Sequence, residues 1–237
     1  MARYRLAMSL VALVLVAACA GVNVSDRKIL VNEKLPRPDH IYVYDFIATP
    51  ADVPSDSALA GQTTSGNPPL TRDQIALGRE VGAEVANALV SEIAAMGLPA
   101  AHATSQTKFE LNDIVIRGYL LSVETGNAAE RVAIGMGAGA AELKTAVEGF
   151  EVTPTGLRML GSGTLDTRAS KSPGAAVPLA VAIATKNPLG LIVSTGVKMH
   201  GEVSGSSTIE GKAKEIAKEI GEQIRPRFEQ QGWIPRQ

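Results

Sequence analysis

The distribution of apolar residues predicts four strands. Residues 40–48 show the clearest alternation, in which successive side chains belong to opposite faces of the strand. Residues 111–124, 143–153 and 158–168 are the other three. Pro, Thr and Gly at 154–156 supply a turn between the last two strands. So short a connection favours an antiparallel pair.

A change to a near-helical period predicts a first helix from Thr71. Thr71 and Gln74 have the spacing of a capping box, in which the hydroxyl and the amide each satisfy a backbone N–H at the helix start. Gly97 and Pro99 supply the stop signal. The apolar stripe between these signals consists of Ile75, Val81, Val85, Leu89, Ile93 and Met96.

A second amphipathic helix is predicted over residues 206–231, where Pro226 is expected to kink or end it. Its polar side mixes lysines and glutamates, which is typical of a solvated helix surface. The predicted fold class is therefore α+β: a mixed, largely antiparallel sheet with two amphipathic helices packed on it, preceded by a signal peptide and a tether.

The N-terminus has the pattern of a secretory signal. Arg3 and Arg5 precede an apolar run over 6–18, which is shorter than the roughly 20 residues that a bilayer span needs. The run ends at Ala18 and Cys19 in a sequence that looks like a bacterial lipobox. This predicts cleavage between Ala18 and Cys19 and lipidation of Cys19 by acyl (palmitate-type) chains; the alternative is an incidental thiol after an ordinary signal.

The chain is predicted to divide into a signal peptide at 1–18, a flexible tether at 19–38 and a single α+β domain at 39–235. Ala20, directly after Cys19, implies sorting to the outer membrane. Within the domain, residues 173–199 form an apolar insertion or hairpin interrupted at Lys186–Pro188. We keep three interpretations of it: a buried core hairpin, a hairpin that dips into lipid, and an oligomer contact.

Composition and charge exclude several classes of function. The 23 basic side chains nearly balance the 24 acidic ones, so the basic face of a nucleic-acid binder is not expected. One cysteine excludes a disulfide framework, and three widely separated histidines give no metal-ligand spacing. No nucleophile elbow or P-loop is present. We therefore expect no enzymatic activity, no metal and no cofactor.

A glycine-rich segment is the most unusual local motif. Gly135, Gly137 and Gly139 formally fit a dinucleotide fingerprint, but the residues behind them have a period nearer two than 3.6. The favoured interpretation is close packing of backbones within the chain or between subunits. These three glycines are thus predicted as packing or oligomer contacts.

The lipobox and the stretches RPDHIYVYDF, RVAIGMGAGAAEL and GWIP together carry a resemblance. The chain resembles a family of uncharacterised bacterial lipoproteins, domain-of-unknown-function family 4410, over nearly all of its predicted mature length. More distantly it is similar to ring-forming outer-membrane lipoproteins of the curli-secretion and TraT type. The family resemblance implies a class of protein and no mechanism.

Three functions follow as hypotheses. The first is a non-enzymatic, lipid-anchored outer-membrane protein facing the periplasm, which acts through protein partners or as a homo-oligomer. The second is an oligomeric channel or secretion accessory that uses residues 173–199. The third is a periplasmic module that binds a small ligand.

Overall fold

The computed structural model describes residues 22–61, 69–125, 141–167, 191–193 and 208–236, of which 191–193 are described by their backbone alone. A seven-stranded mixed sheet is its central element, in the order β1-β6-β5-β4-β2-β3, with β7 also beside β4. The strands are β1 (Asn23–Ile29), β2 (Ile41–Val43), β3 (Ala100–His102), β4 (Ile114–Glu124), β5 (Glu142–Thr153), β6 (Gly156–Asp166) and β7 (Leu191–Val193).

The long strands of the sheet are antiparallel and the short ones are parallel. β4, β5 and β6 pair antiparallel, and β1 continues this order at the edge. β5 and β6 meet at the predicted turn, where Gly156 has a φ of 120° that only glycine adopts readily. β2, β3 and β7 pair parallel over three residues each. The predicted mixed, largely antiparallel sheet is confirmed.

Both predicted helices are present. α1 (Arg72–Ala95) begins with the capping box of Thr71 and Gln74, and Gly97 follows its end with a φ of 82°. α2 (Ile209–Gln231) continues past Pro226, so of the two expected outcomes, a kink or an end, the end is wrong. Gly232, at a φ of 78°, caps α2 instead. Among the described residues, neither helix combines the length and the apolarity that crossing a membrane requires.

The main core lies between one face of the sheet and the two helices. α1 contributes Val85, Leu89 and Ile93, and α2 contributes Ile216 and Ile220. A smaller cluster occupies the opposite face, where Tyr119 and Leu121 of β4, Ala146 of β5 and Leu59 meet beneath the loop at 49–61. The sheet is therefore covered on both faces, by helices on one side and by a loop on part of the other.

Two sequence predictions need correction. Residues 23–29 of the predicted tether form β1, which pairs with β6 around a bulge at Asp26, where φ is 56°. The sequence of β1 is polar and does not alternate, so it does not predict a strand. The strand forms because its backbone pairs with β6. The strand predicted over 40–48 is regular only at Ile41–Val43, since Phe46 turns to donate its backbone N–H to Gly82 O at 3.2 Å.

Candidate functional site

A cavity of about 180 Å³ lies between the sheet and α2. Strands β4, β5 and β6 form its floor, α2 forms its roof, and β1 with the segment after it forms a side wall. The apolar residues around it are Val24, Ile29, Leu35, Ile114, Ile116, Val147, Leu160, Leu165, Ile220, Ile224, Phe228 and Trp233. A partly open space with such a lining suits an apolar group.

Glycines in the strands make this space. A Cβ built at Gly149 of β5 meets no atom within 4 Å, so the glycine leaves the floor of the cavity open. Gly161 of β6 serves a different purpose, because a Cβ there would lie 2.4 Å from Lys28 O. It allows β1 to approach the sheet closely. Gly149 thus provides cavity volume, and Gly161 allows β1 to pack against the sheet as the side wall.

Hydrogen bonds from the end of α2 fasten the side wall. The side chain of the buried Gln231 accepts from Leu35 N at 2.7 Å and donates to Glu33 O at 2.9 Å. Trp233 Nε1 donates to Leu35 O at 3.3 Å. These bonds satisfy polar atoms that would otherwise be buried without partners. The wall is therefore held by α2 and its C-terminal extension.

The charged residues around the cavity have one sign. Arg27, Lys28 and Arg227 belong to its lining, which contains no Asp or Glu. Arg27 donates to the side chain of Gln223 at 3.3 Å and to its carbonyl at 3.0 Å. Arg227 donates to Gln230 Oε1 at 2.7 Å and to Val31 O. Within the described part of the chain, none of the three cations pairs with a carboxylate.

A second surface lies on the helix-free face of β2. Tyr42 stacks on His40 with ring centroids 5.4 Å apart, and Phe109 meets Tyr42 and Tyr44 edge-on at 5.3 and 6.2 Å. We call these four residues the aromatic row. Partial burial raises the pKa of the Tyr42 hydroxyl, and the negative charge of Asp113 raises it further. Tyr42 is therefore a neutral hydrogen-bond donor in the physiological range.

A buried carboxylate organises the same face of the sheet beneath the loop at 49–61. Glu148 Oε1 accepts from Ser57 Oγ at 3.1 Å and from Ala58 N at 2.8 Å, and its Oε2 accepts from the Tyr119 hydroxyl at 2.8 Å. Beside this group Arg117 pairs with Asp56 of the loop at 2.8 Å. The full set of donors explains how a carboxylate is tolerated in the interior.

The predicted site residues lie outside the residues that the structure describes. Ala18 and Cys19, and likewise Gly135, Gly137 and Gly139, lie outside the described residues. Lipidation, signal cleavage and glycine packing stay predictions. Of the predicted insertion at 173–199, only 191–193 are described, and they pair with β4.

The histidines give no metal site in the described chain. His102 pairs with Asp45 at 2.7 Å, and the ring of His40 lies 3.6 Å from Asp113. No three His, Cys, Asp or Glu side chains in the described ranges are grouped as metal ligands.

The sequence analysis did not predict the cavity. The glycines within β5 and β6 were the signal available for it.

The family model described as a domain of unknown function (DUF4410) matches residues 41–186, more than half of the chain. The chain belongs to this family. The matched range includes β2 through β6 and α1, which is most of the sheet. This confirms the family that the sequence motifs suggest. No curated protein matches the sequence.

Two solved structures of PelC dodecamers from Paraburkholderia phytofirmans are similar to this DUF4410 chain. A PelC variant shares 10% identity, with 84% of this chain and 94% of that chain covered, at a TM-score of 0.38. A second PelC structure shares 13% identity, with 61% and 80% covered, at a TM-score of 0.34.

Proposed function

We propose that this protein is a non-enzymatic outer-membrane lipoprotein, anchored through Cys19, whose folded part faces the periplasm and acts through protein contacts, including contacts between copies. The apolar run at 6–18 and the single cysteine behind it support the anchor. β1 begins at Asn23, and the four residue steps from Cys19 span at most about 14 Å. The sheet therefore starts close to the proposed lipid.

The aromatic row carries the proposal of protein contacts. The other aromatic side chains of the described residues are buried in the core, namely Phe46, Tyr119, Phe150, Phe228 and Trp233. Tyr42, Tyr44 and Phe109 are instead only half-buried and hold one another in place through ring contacts. Pre-ordered aromatic surface is what protein interfaces use most, since large area is covered at low entropic cost.

The open edges of the sheet disfavour partner binding by strand addition. β1 carries a bulge at Asp26, which is followed by Arg27 and Lys28. A bulge and charged side chains on an edge strand disfavour pairing with a strand of another chain. At the opposite edge, β3 is only three residues long. Contacts through side chains are therefore favoured over contacts through backbone pairing.

A second copy of the chain has a surface that complements the aromatic row. Asp39, Asp45 and Glu110 are exposed near that row and outnumber Lys108, the exposed lysine that precedes Phe109. Residues 27–30, at the opposite edge of the sheet, are all exposed and read Arg-Lys-Ile-Leu. Binding of 27–30 to the aromatic row of the next copy is a head-to-tail contact, which closes into rings when the rotation permits.

The test of the protein contacts is the molar mass of the full lipidated chain in detergent, measured by light scattering after size exclusion. We expect a defined multimer, and we expect Tyr42→Ser combined with Tyr44→Ser to shift it to smaller species. Gln106→Ser, an exposed change outside the aromatic row, is the matched control and leaves the mass unchanged. A monomer in the unmodified protein overturns contacts between copies.

The anchor has its own test. Cys19→Ala is expected to release the protein from carbonate-washed membranes, and retention in the membrane fraction overturns the lipid anchor.

Activity assays test the non-enzymatic part of the proposal. This part is overturned if the purified protein turns over any substrate and a single-residue variant loses that turnover. The channel alternative, built on residues 173–199, stays a prediction.

A further inference from the structure

We propose that the cavity beneath α2 binds one apolar chain that ends in an anionic head, the chemistry of a fatty acid or a single-chain acidic lipid. This goes beyond the protein contacts proposed above. It shares Arg27, Lys28 and Ile29 with the proposed contact of residues 27–30, whereas Arg227 and the rest of the apolar lining belong to the cavity alone. It also assigns small-ligand binding to residues other than the glycine-rich segment at 135–139.

The dimensions of the cavity fit a single chain. Its volume of about 180 Å³ is slightly larger than that of an engineered apolar cavity of about 150 Å³ that binds benzene. Its walls are aliphatic and aromatic, and the open floor at Gly149 gives a ligand access to the backbone of β5. The space therefore accepts a short stretch of hydrocarbon and is too small for two chains side by side.

The charge of the lining selects the head group. Arg27, Lys28 and Arg227 contribute three cations, and no Asp or Glu lines the cavity to neutralise them. Both arginines are bonded to neutral oxygens of Gln223, Gln230 and Val31, and neither forms an ion pair with a carboxylate of the described residues. Guanidinium groups bind carboxylate and phosphate oxygens through paired hydrogen bonds. An anion at the mouth of the cavity would complete this arrangement.

Trp233 provides a direct readout. It lines the cavity, packs against Phe228 with ring centroids 5.3 Å apart, and is the one tryptophan of the chain. Fluorescence quenching by a bromine atom at the end of a ligand chain therefore reports a bromine close to Trp233, and the cavity variants below assign it to the cavity.

The experiment uses the full chain in phosphatidylcholine nanodiscs, titrated with omega-bromo-octanoate while Trp233 fluorescence is recorded. We expect saturable quenching, with weaker binding of omega-bromo-octanol and the weakest of omega-bromo-octylamine. A brominated single-chain phosphatidylglycerol in a separate titration distinguishes a lipid phosphate from a free carboxylate. Absence of saturable quenching by both anions overturns the proposal, and so does equal quenching by the amine.

Two variants test the position of the ligand. Gly149→Leu fills the open floor and is expected to abolish saturable quenching, while circular dichroism reports that the fold is kept. Arg227→Gln is expected to weaken octanoate binding about tenfold and to leave octanol binding unchanged, since only the head group loses a partner. Arg225→Gln, on the same helix but outside the cavity lining, is the matched control. Octanoate binding that is unaffected by both cavity variants overturns the assignment.

Discussion

The hydroxyl of Tyr119 on β4 donates to Glu148 Oε2 on β5 at 2.8 Å, with both side chains buried beneath the loop at 49–61. The other carboxylate oxygen is occupied by Ser57 and Ala58 of that loop. One carboxylate therefore joins two strands and a loop that covers them. The arrangement is stable because each buried donor has its acceptor.

Replacement of Glu148 by alanine removes the acceptor of two buried hydroxyl groups, those of Tyr119 and Ser57. We expect Glu148→Ala to lower the free energy of unfolding by about 3 kcal/mol. Ser57→Ala, which removes one donor, is expected to cost about 1 kcal/mol. Urea unfolding measures both. Glu110→Ala, at an exposed carboxylate, is the control, and a cost for Glu148→Ala no greater than this control would falsify the role given to Glu148.

Alkaline pH provides a second test of the same pair. Burial raises the pKa of the Tyr119 hydroxyl above its ordinary value near 10, and the hydrogen bond to Glu148 raises it further. In the unfolded chain Tyr119 loses its proton above pH about 10 while the folded chain keeps it, so stability falls as pH rises beyond that point.

The expected slope from Tyr119 is about 0.7 kcal/mol per pH unit at pH 10 and approaches about 1.4 kcal/mol per unit at higher pH. Tyr119→Phe has no proton to lose and is expected to show a correspondingly smaller decline, from a lower starting stability because Glu148 loses a donor. Urea midpoints measured between pH 9 and pH 11 give both curves. Parallel curves for the two proteins would contradict the prediction.

Two glycine-to-alanine changes are expected to act in opposite directions. A Cβ at Gly82 of α1 would lie 2.2 Å from Phe46 O, so Gly82→Ala forces the helix away from the segment that carries Phe46. We expect a loss of at least about 2 kcal/mol. Gly149→Ala meets open space and reduces the freedom of the unfolded chain, which favours a gain of up to about 1 kcal/mol.

Thermal unfolding of the two alanine variants, side by side, measures this contrast. A melting temperature that falls equally in both would show that the space at Gly149 is not available in solution. A Gly82→Ala variant as stable as the unmodified protein would show that α1 does not approach Phe46 so closely.

The start of α1 depends on a local motif that can be removed cleanly. Thr71 Oγ1 accepts from Gln74 N at 3.2 Å, and Gln74 Oε1 accepts from Thr71 N at 2.8 Å. Thr71→Ala is expected to cost about 1 kcal/mol, whereas Thr71→Ser keeps the hydroxyl and most of the stability. Urea midpoints that are equal for the two variants would contradict the capping role.

Elements with local signals were predictable. The capping box at Thr71, the stripe along each helix and the turn before Gly156 all act between residues close in sequence, and each appears in the structure. The alternation at 40–48 was a weaker guide. It indicates that one face of the segment is buried, but it does not indicate that the chain leaves the strand where Phe46 bonds to α1. Glu148 appears solvent-facing from alternation but is buried, because the loop at 49–61, distant in sequence, covers it.

By itself, then, the sequence determined the fold class, both helices, the β5–β6 hairpin and the family, since each depends on periodicity, capping, turn chemistry or motif. Only the tertiary structure decided that residues 23–29 join the sheet, that Glu148 holds a loop and that a cavity lies beneath α2. The cavity is lined by five separate parts of the chain, from Val24 to Trp233. Empty space and uncompensated charge arise where such segments meet, and no single segment encodes either of them.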